Sequence, residues 1–306
     1  MRLAFERLLT ALPTLLVLIT LSFFLMRAAP GGPFDRERQL APQIEAAMKA
    51  EYKLDEPLWQ QYLHYLSGVV RGDLGPSFQY EGYSVAELIG AGLRVSLLLG
   101  GVALLFAVAI GVVSGVCAAY WRGSWIDRLL GLFSALGIAA PNFVVAPLLI
   151  LLFSVGLGWL PAGGWQAGRW TDLLLPAAAL ALPQLAYVAR LTRGAMAEVL
   201  SSPYILAARA RGLPVRQVLF RHALRPSLMP VLSYLGPAAA ALLTGSVVVE
   251  QVFAIPGLGR YFVQAALNRD YTLVLGVVLV YGSMIIGFNF VVDLLYGVLD
   301  PRLRRR

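Results

Sequence analysis

The sequence predicts an all-α membrane protein, with six transmembrane helices and a helical segment outside the membrane between helices 1 and 2. Three observations predict it. The 306 residues are 58% hydrophobic and only 14% charged, whereas a soluble domain is about a quarter charged. The apolar residues fall into six runs, and crossing a bilayer takes about 20 mostly apolar residues. The arginines gather in short clusters beside those runs, as loops on the cytoplasmic side of a membrane protein do.

The first run, Leu8–Met26, follows Arg2 and Arg7. It exceeds the 7–15 apolar residues of a cleaved signal core, so it reads as a retained span. The others are Val95–Tyr120, Leu129–Val155, Leu173–Ala189, Pro230–Val249 and Thr272–Leu295. The fourth is short and carries Pro176 and Pro183. Three parts follow: residues 1–27 as N-terminus and first span, 28–94 as an extracytoplasmic segment, and 95–306 as the other five spans.

Charge sets the orientation. With the N-terminus inside, the inner segments carry Arg2 and Arg7, Arg122 and Arg128, Arg190 and Arg193, five arginines between 209 and 225, and Arg302, Arg304, Arg305 and Arg306. The short outer loops hold only Arg169, Arg260 and Arg269, and the long segment Asp35–Glu87 is richer in acids than bases. The positive-inside tendency therefore predicts both termini in the cytoplasm. In the outer segment, "PQIEAAMKAEYKLDEPLWQQYLHYLSGVV" reads as helix, a break near Asp55-Glu56-Pro57, then helix. Trp59, Tyr62, Leu63 and Leu66 fall on one face of the second helix.

Several chemistries are excluded. No G-x-x-x-x-G-K-[ST] occurs to cradle phosphates, and the lysines are Lys49 and Lys53 alone. There is no H-E-x-x-H, no G-x-S-x-G and a single cysteine, Cys117. No catalytic, metal-binding or cofactor-binding residue is expected. Gly111 and Gly115 form a G-x-x-x-G that lets helices approach closely. Polar groups within or at the ends of spans are costly and mark pathway candidates: Asn142, Gln184, Ser246, Glu250 and Asn289. Interhelical hydrogen bonding is the other reading of the same residues. Asp293 reads as an interfacial residue.

One stretch departs from the rest. "PYILAARARGLPVRQVLFRHALRPSLMPVL", from Pro203, holds five arginines and no acid. Ser201 or Ser202 would cap a first helix that Pro203 opens. Gly212 suits the left-handed residue just past a helix end, with Leu213 making the accompanying apolar contact. Pro214 starts a second helix, whose Val215, Val218, Leu219 and Leu224 form an apolar stripe. A DNA-binding helix-turn-helix is disfavoured because spans tether both ends, and nucleic acid is not an expected partner. A basic cytoplasmic loop and a docking element that passes a partner's motion to the flanking spans both fit.

The stretch resembles the cytoplasmic signature loop of ABC importer permeases, E-A-A-x3-G-x9-I-x-L-P. Here Leu206-Ala207-Ala208 is followed, three residues on, by Gly212, and nine further on by His222-Ala223-Leu224-Arg225. The glutamate and the late Ile and Pro are missing. "ARARGL" and "RHALRPSLMPVL" instead look like the peptide-transporter branch. "FFLMRAAPGGPF", "LDEPLWQQYLHYL", "GDLGPSFQY", "VFAIPGLGRYFVQAALNRDY" and "VVDLLYGVLDPRLR" match the peptide-permease B pattern in order, nearest the oligopeptide type of Gram-negative bacteria.

That resemblance implies a multi-pass permease subunit in the bacterial inner membrane, with the fold of ABC importer permeases. It implies a homologous C permease subunit as heterodimer partner, two cytoplasmic ABC ATPase subunits and a periplasmic peptide-binding protein, with oligopeptide as substrate and membrane lipid around it. The ATPase-coupling loop, at about 190–229, would comprise Tyr204, Ala207, Ala208, Arg209, Arg211, Gly212, Leu213, Arg221, His222 and Arg225. Dipeptide, nickel and glutathione permeases of the same family are alternatives, as is a secondary transporter from another class.

Overall fold

A computed structural model describes residues 2–28, 54–80 and 82–299. Among these the long elements are all helices. They are α1 Arg2–Ala28, α2 Leu58–Arg71, α3 Val85–Tyr120, α4 Trp125–Ala139, α5 Asn142–Leu149, α6 Thr171–Leu200, α7 Pro203–Ala210, α8 Val215–Gln217, α9 Leu224–Ser227, α10 Met229–Val252, α11 Leu258–Leu267 and α12 Tyr271–Leu299. Wider π-helical turns, Ile150–Gly156 and Val218–Ala223, follow α5 and α8. Among the described residues α1, α3, α6, α10 and α12 are each long and apolar enough to span a membrane.

The third expected span, Leu129–Val155, is not one helix. It is the pair α4 and α5 with the π turns, bent by 111°. The cause is local. Pro141 offers no N–H and crowds the residue before it out of the helical region, and Ala140 is extended at φ −77, ψ 118. Two other spans are longer than expected. The fourth runs to Leu200, because Pro176 and Pro183 lie within α6 without ending it. The second begins at Val85 rather than Val95, since Ser84 and Glu87 form a capping box. The Glu87 carboxylate accepts from Ser84 N–H at 2.9 Å, and the Ser84 hydroxyl accepts from Glu87 N–H at 3.2 Å.

The chain divides into two units. One comprises the residues up to Ser96 together with Pro256–Ile286. Here α2 forms as expected, with Gly72 left-handed just past its end, while the helix expected over residues 42–53 lies outside the described residues. Phe23 of α1 is buried and meets Tyr62 of α2 edge-on at 5.3 Å. The Tyr62 hydroxyl bonds Thr20 Oγ1 at 2.6 Å. Asp270, fully buried, caps α12 by accepting from Leu273 N–H at 3.1 Å. It also accepts from the Ser77 hydroxyl, from Gln79 N–H at 3.2 Å and from the Thr272 hydroxyl at 3.0 Å.

The other unit comprises Leu97–Ile255 and the residues from Gly287. Its centre is α6, packed against α3, α4 and α10. The Gly111 and Gly115 pair does what its spacing suggests. A β-carbon at Gly111 would sit 2.8 Å from the Leu185 carbonyl oxygen, and one at Gly115 2.5 Å from that of Ala189. The α3 and α6 backbones therefore touch. The α4 start is pinned to α6 by an ion pair: Arg193 donates Nε to Asp127 Oδ1 at 2.6 Å and Nη2 to Oδ2 at 2.9 Å. Asp127 Oδ2 also accepts from Gly123 N–H at 3.0 Å.

Candidate functional site

The basic stretch is a two-helix hairpin built on the end of α6. Pro203 occupies the first turn of α7, and Ser202 precedes it in extended conformation. Neither serine caps α7 with its side chain, contrary to expectation. Ser201 Oγ donates to the Glu198 carbonyl at 2.8 Å and Ser202 Oγ to that of Val199 at 2.6 Å, so both close α6 instead. The α7 start is held by backbone, with Ile205 and Leu206 N–H donating to the Ser202 carbonyl, each at 3.1 Å.

The far end of α7 is a Schellman turn. Gly212 stands at φ +79. Its N–H reaches the Arg209 carbonyl at 2.9 Å, and Leu213 N–H reaches Ala208 at 3.3 Å. These are the paired bonds of that motif, and the left-handed residue they require is one that glycine adopts without strain. Leu213 packs against a buried cluster of Ala119, Met196, Ile205, Val218 and Ala223. The hairpin's inner side is thus welded to α3 and α6. Ser227, also buried, donates to the Ala223 carbonyl at 2.7 Å and to the Met196 sulfur at 3.3 Å.

The second half differs from the simple helix expected after Pro214. The widened turns Val218–Ala223 fall just before Pro226, which has no N–H to donate and whose ring crowds the carbonyl four residues back. The inward stripe changes with them. Val218 and Ala223 are buried, Leu219 and Leu224 half-buried, and Val215 exposed.

The outward side carries the chemistry. Tyr204, Leu206, Ala207 and Phe220 are exposed alongside Arg209, Arg211, Arg216, Arg221 and Arg225. Ala208 and His222 are half-buried at its edge. No ion pair engages the five arginines among the described residues. A face with apolar centres and open guanidinium groups suits a partner surface that offers a groove and carboxylates.

The pathway candidates do not form one cluster. Gln184 of α6 accepts from the Tyr234 hydroxyl of α10 at 2.6 Å, and Tyr234 stacks on Tyr187 at 4.8 Å. Asn289 of α12 is exposed, and a β-carbon on Gly236 would lie 3.0 Å from its Oδ1. Asn142 opens α5 after the bend, with Oδ1 buried and unpartnered. Ser246 is buried and bonds its own helix at the Leu243 carbonyl, 2.7 Å away. Glu250 is fully buried in the last turn of α10. Residue-type reasoning missed Tyr187 and Tyr234, which carry no charge to mark them. It also missed Asp127 with Arg193, which are far apart in sequence. Asp293 belongs to a part of α12 whose side chains are not described. Among the described residues no group of three or more His, Cys, Asp or Glu could hold a metal ion.

Comparison with known proteins gives one consistent picture. Residues 107–305 match the family model "Binding-protein-dependent transport system inner membrane component", and residues 1–90 match the N-terminal model of the same systems. The chain is 50% identical to the oligopeptide transport system permease protein OppB of Haemophilus influenzae and 49% identical to that of Salmonella typhimurium, each over 98% of both chains. It is 43% identical to the dipeptide transport system permease protein DppB of Bacillus subtilis, over 95% of this chain and 94% of the relative. Among solved structures, an amino acid ABC transporter crystallised with histidines matches at a TM-score of 0.52 and 22% identity. That match covers 68% of this chain and 92% of the transporter chain, and it is a likeness of fold.

Proposed function

We propose that this chain, which belongs to the family of inner-membrane components of binding-protein-dependent transport systems, carries oligopeptides inward as one half of a two-subunit pathway. It is a permease subunit of an ABC importer, and the hydrolysis of ATP falls to other subunits. The oligopeptide reading rests on one observation: identity near 50% to oligopeptide permeases along the whole length. The Bacillus subtilis dipeptide permease, at 43%, keeps a dipeptide substrate as the second reading.

In this reading a homologous permease subunit completes the pathway. Two ATPase subunits bind from the cytoplasm, and a periplasmic binding protein delivers the peptide. Both termini and the hairpin lie in the cytoplasm, supported by the arginine distribution. The helix α7 seats in an ATPase subunit. Ala207 and Ala208 let it approach closely, and Arg209 and Arg211 meet carboxylates there. Since Ile205, Leu213 and Val218 bind the hairpin to α3 and α6, a tilt of α7 becomes a movement of the spans. The pathway then opens alternately to each side. Gln184, Asn289 and Glu250 are its polar candidates.

Two experiments test this. Proteoliposomes holding the assembled complex should take up tri- to pentapeptides in an ATP- and binding-protein-dependent manner. Uptake restricted to dipeptides, glutathione or nickel would assign a different substrate. For orientation, single cysteines replace Gln39 and Gln217 in a Cys117→Ala background. An impermeant thiol reagent on intact spheroplasts should label position 39 only, and labelling of 217 alone would invert the topology.

A further inference from the structure

The helix α2 carries its side chains in lengthwise stripes, as 3.6 residues per turn requires. Tyr62 and Tyr65 belong to the inward stripe, which packs on α1. On one flank of it come Trp59, Leu63, Leu66 and Val70, at i, i+4, i+7 and i+11. Leu66 is half-buried, whereas Trp59, Leu63 and Val70 are exposed, Val70 at 87%. Next round the helix lie His64, Ser67 and Arg71, polar and exposed. Gln61 and Gly68 close the circle on the other flank of the inward stripe. There, with His64, they line a cavity against Arg27 of α1. One side of α2 is thus polar and open, and another is apolar and uncovered.

The contacts with α1 fix which way the apolar stripe points. From the cavity flank of α2 to its apolar flank, they descend α1. Gln61 and Gly68 stand with Arg27, at the end of α1. Tyr65 stacks on Phe23 at 6.1 Å. Tyr62, the inward residue nearest the apolar stripe, bonds Thr20 Oγ1 at 2.6 Å and lies against Phe24 at 5.6 Å. The stripe that follows Tyr62 therefore faces the middle of α1, which is a membrane span. Thr20 stands six residues short of Met26, the end of the apolar run, about 9 Å deeper along the helix. Leu21, Phe24 and Leu25 of α1 are exposed beside these contacts, so the α2 stripe extends a face already turned to acyl chains. An amphipathic helix lying on a bilayer buries its apolar side about 5–10 Å into the boundary of head groups and acyl chains, and the two depths agree. An indole at the end of the stripe suits that boundary. We propose that α2 is an interfacial helix, lying in the leaflet at the end of α1 with Trp59, Leu63, Leu66 and Val70 among the acyl chains. The partner of this surface is the bilayer itself. Arg71 and His64 are the only basic residues of α2, so apolar burial holds the helix there rather than attraction to anionic head groups. The inference needs α1 to span a membrane and is independent of the transported substrate.

The test uses the assembled complex in phosphatidylcholine nanodiscs, with single cysteines in the Cys117→Ala background carrying a nitroxide. Collisions with oxygen, which concentrates in lipid, are compared with collisions with a water-soluble nickel chelate. Leu63→Cys and Val70→Cys should favour oxygen several-fold over the chelate, as Leu21→Cys on α1 does. The ratio should place both labels about 5–10 Å below the phosphates. His64→Cys and Arg71→Cys, on the polar side, should favour the chelate. Chelate access at positions 63 and 70 equal to that at 64 and 71 would put the stripe in water and overturn the proposal. Exclusion of both reagents at 63 and 70 would mean that protein covers the stripe, a second subunit or a binding protein, and would overturn it equally. A Leu21→Cys label open to the chelate would take α1 out of the bilayer, and the proposal with it.

Discussion

The turn around Asp270 and the hairpin from Pro203 to Ser227 both join helices outside the long spans, yet they are built in opposite ways. At Asp270 a single buried carboxylate gathers Ser77, Gln79, Thr272 and the start of α12. The charged group is spent inside the protein. In the hairpin, backbone bonds and a small apolar cluster do the holding, and the charged groups point out. A turn that closes on its own side chains has little left to offer a partner. A turn that closes on its backbone and a few apolar side chains keeps its charged side chains for one. The difference distinguishes a structural clamp from a docking surface even where both are polar in sequence.

The sharpest way to break this contrast is Asp270→Ala. It removes a helix cap, worth about 1 kcal/mol. It also strands buried donors, at about 1–3 kcal/mol each when unsatisfied. A loss of about 3 kcal/mol or more should appear as a collapse in the yield of folded protein and in its thermal midpoint. Asp270→Asn keeps one acceptor and should recover part of the loss. If Asp270→Ala assembles and melts like wild type, the clamp description is wrong.

Gly212→Val probes the other side. A residue with a β-carbon at φ +79 costs about 1 kcal/mol or more, and nothing lies within 4 Å of where that carbon would stand. The cost is therefore conformational and local. The chain should insert and fold with a modest drop in stability. Transport should fall severely, through lost ATPase subunits or through ATP hydrolysis that ignores the loaded binding protein. Normal uptake by Gly212→Val, or crosslinks that put Ala207–Arg211 away from every ATPase subunit, would reduce the hairpin to a basic loop.

How much of this was legible follows from the range over which each feature is encoded. Gly212 was readable because one residue type answers one backbone conformation. The spans were readable because hydropathy is a local sum. The capping box at Ser84 and Glu87 was equally readable, and reading it would have started α3 ten residues earlier. The bend at Ala140 was written in Pro141, but an apolar count does not register direction. The shift of the stripe from Leu224 to Ala223 has a different origin. The π turns from Val218 break the 3.6-residue period on which the stripe was counted, so the buried position moved to Ala223. The pairing of Asp127 with Arg193 joins helices remote in sequence, and no spacing rule reaches that far.

The smallest expected effect tests the middle ground between clamp and docking surface, the bond from Tyr234 to Gln184. It is short, at 2.6 Å, and set beside the Tyr187 stack. Tyr234→Phe deletes the hydroxyl and keeps the ring, so the packing of α10 on α6 should survive. Interhelical hydrogen bonds in membranes are worth about 0.6 kcal/mol on average, and a shift of that order in thermal midpoint is expected. The informative measurement is uptake. If Gln184 lines the pathway, an amide released from Tyr234 meets the moving peptide differently. Uptake kinetics should then change for peptides of some lengths or side chains while assembly with the partner subunits stays the same. If the variant alters only stability, the bond is a structural tie between two spans, and Gln184 leaves the pathway. That outcome would put it on the clamp side of the comparison, a polar group used up within the chain.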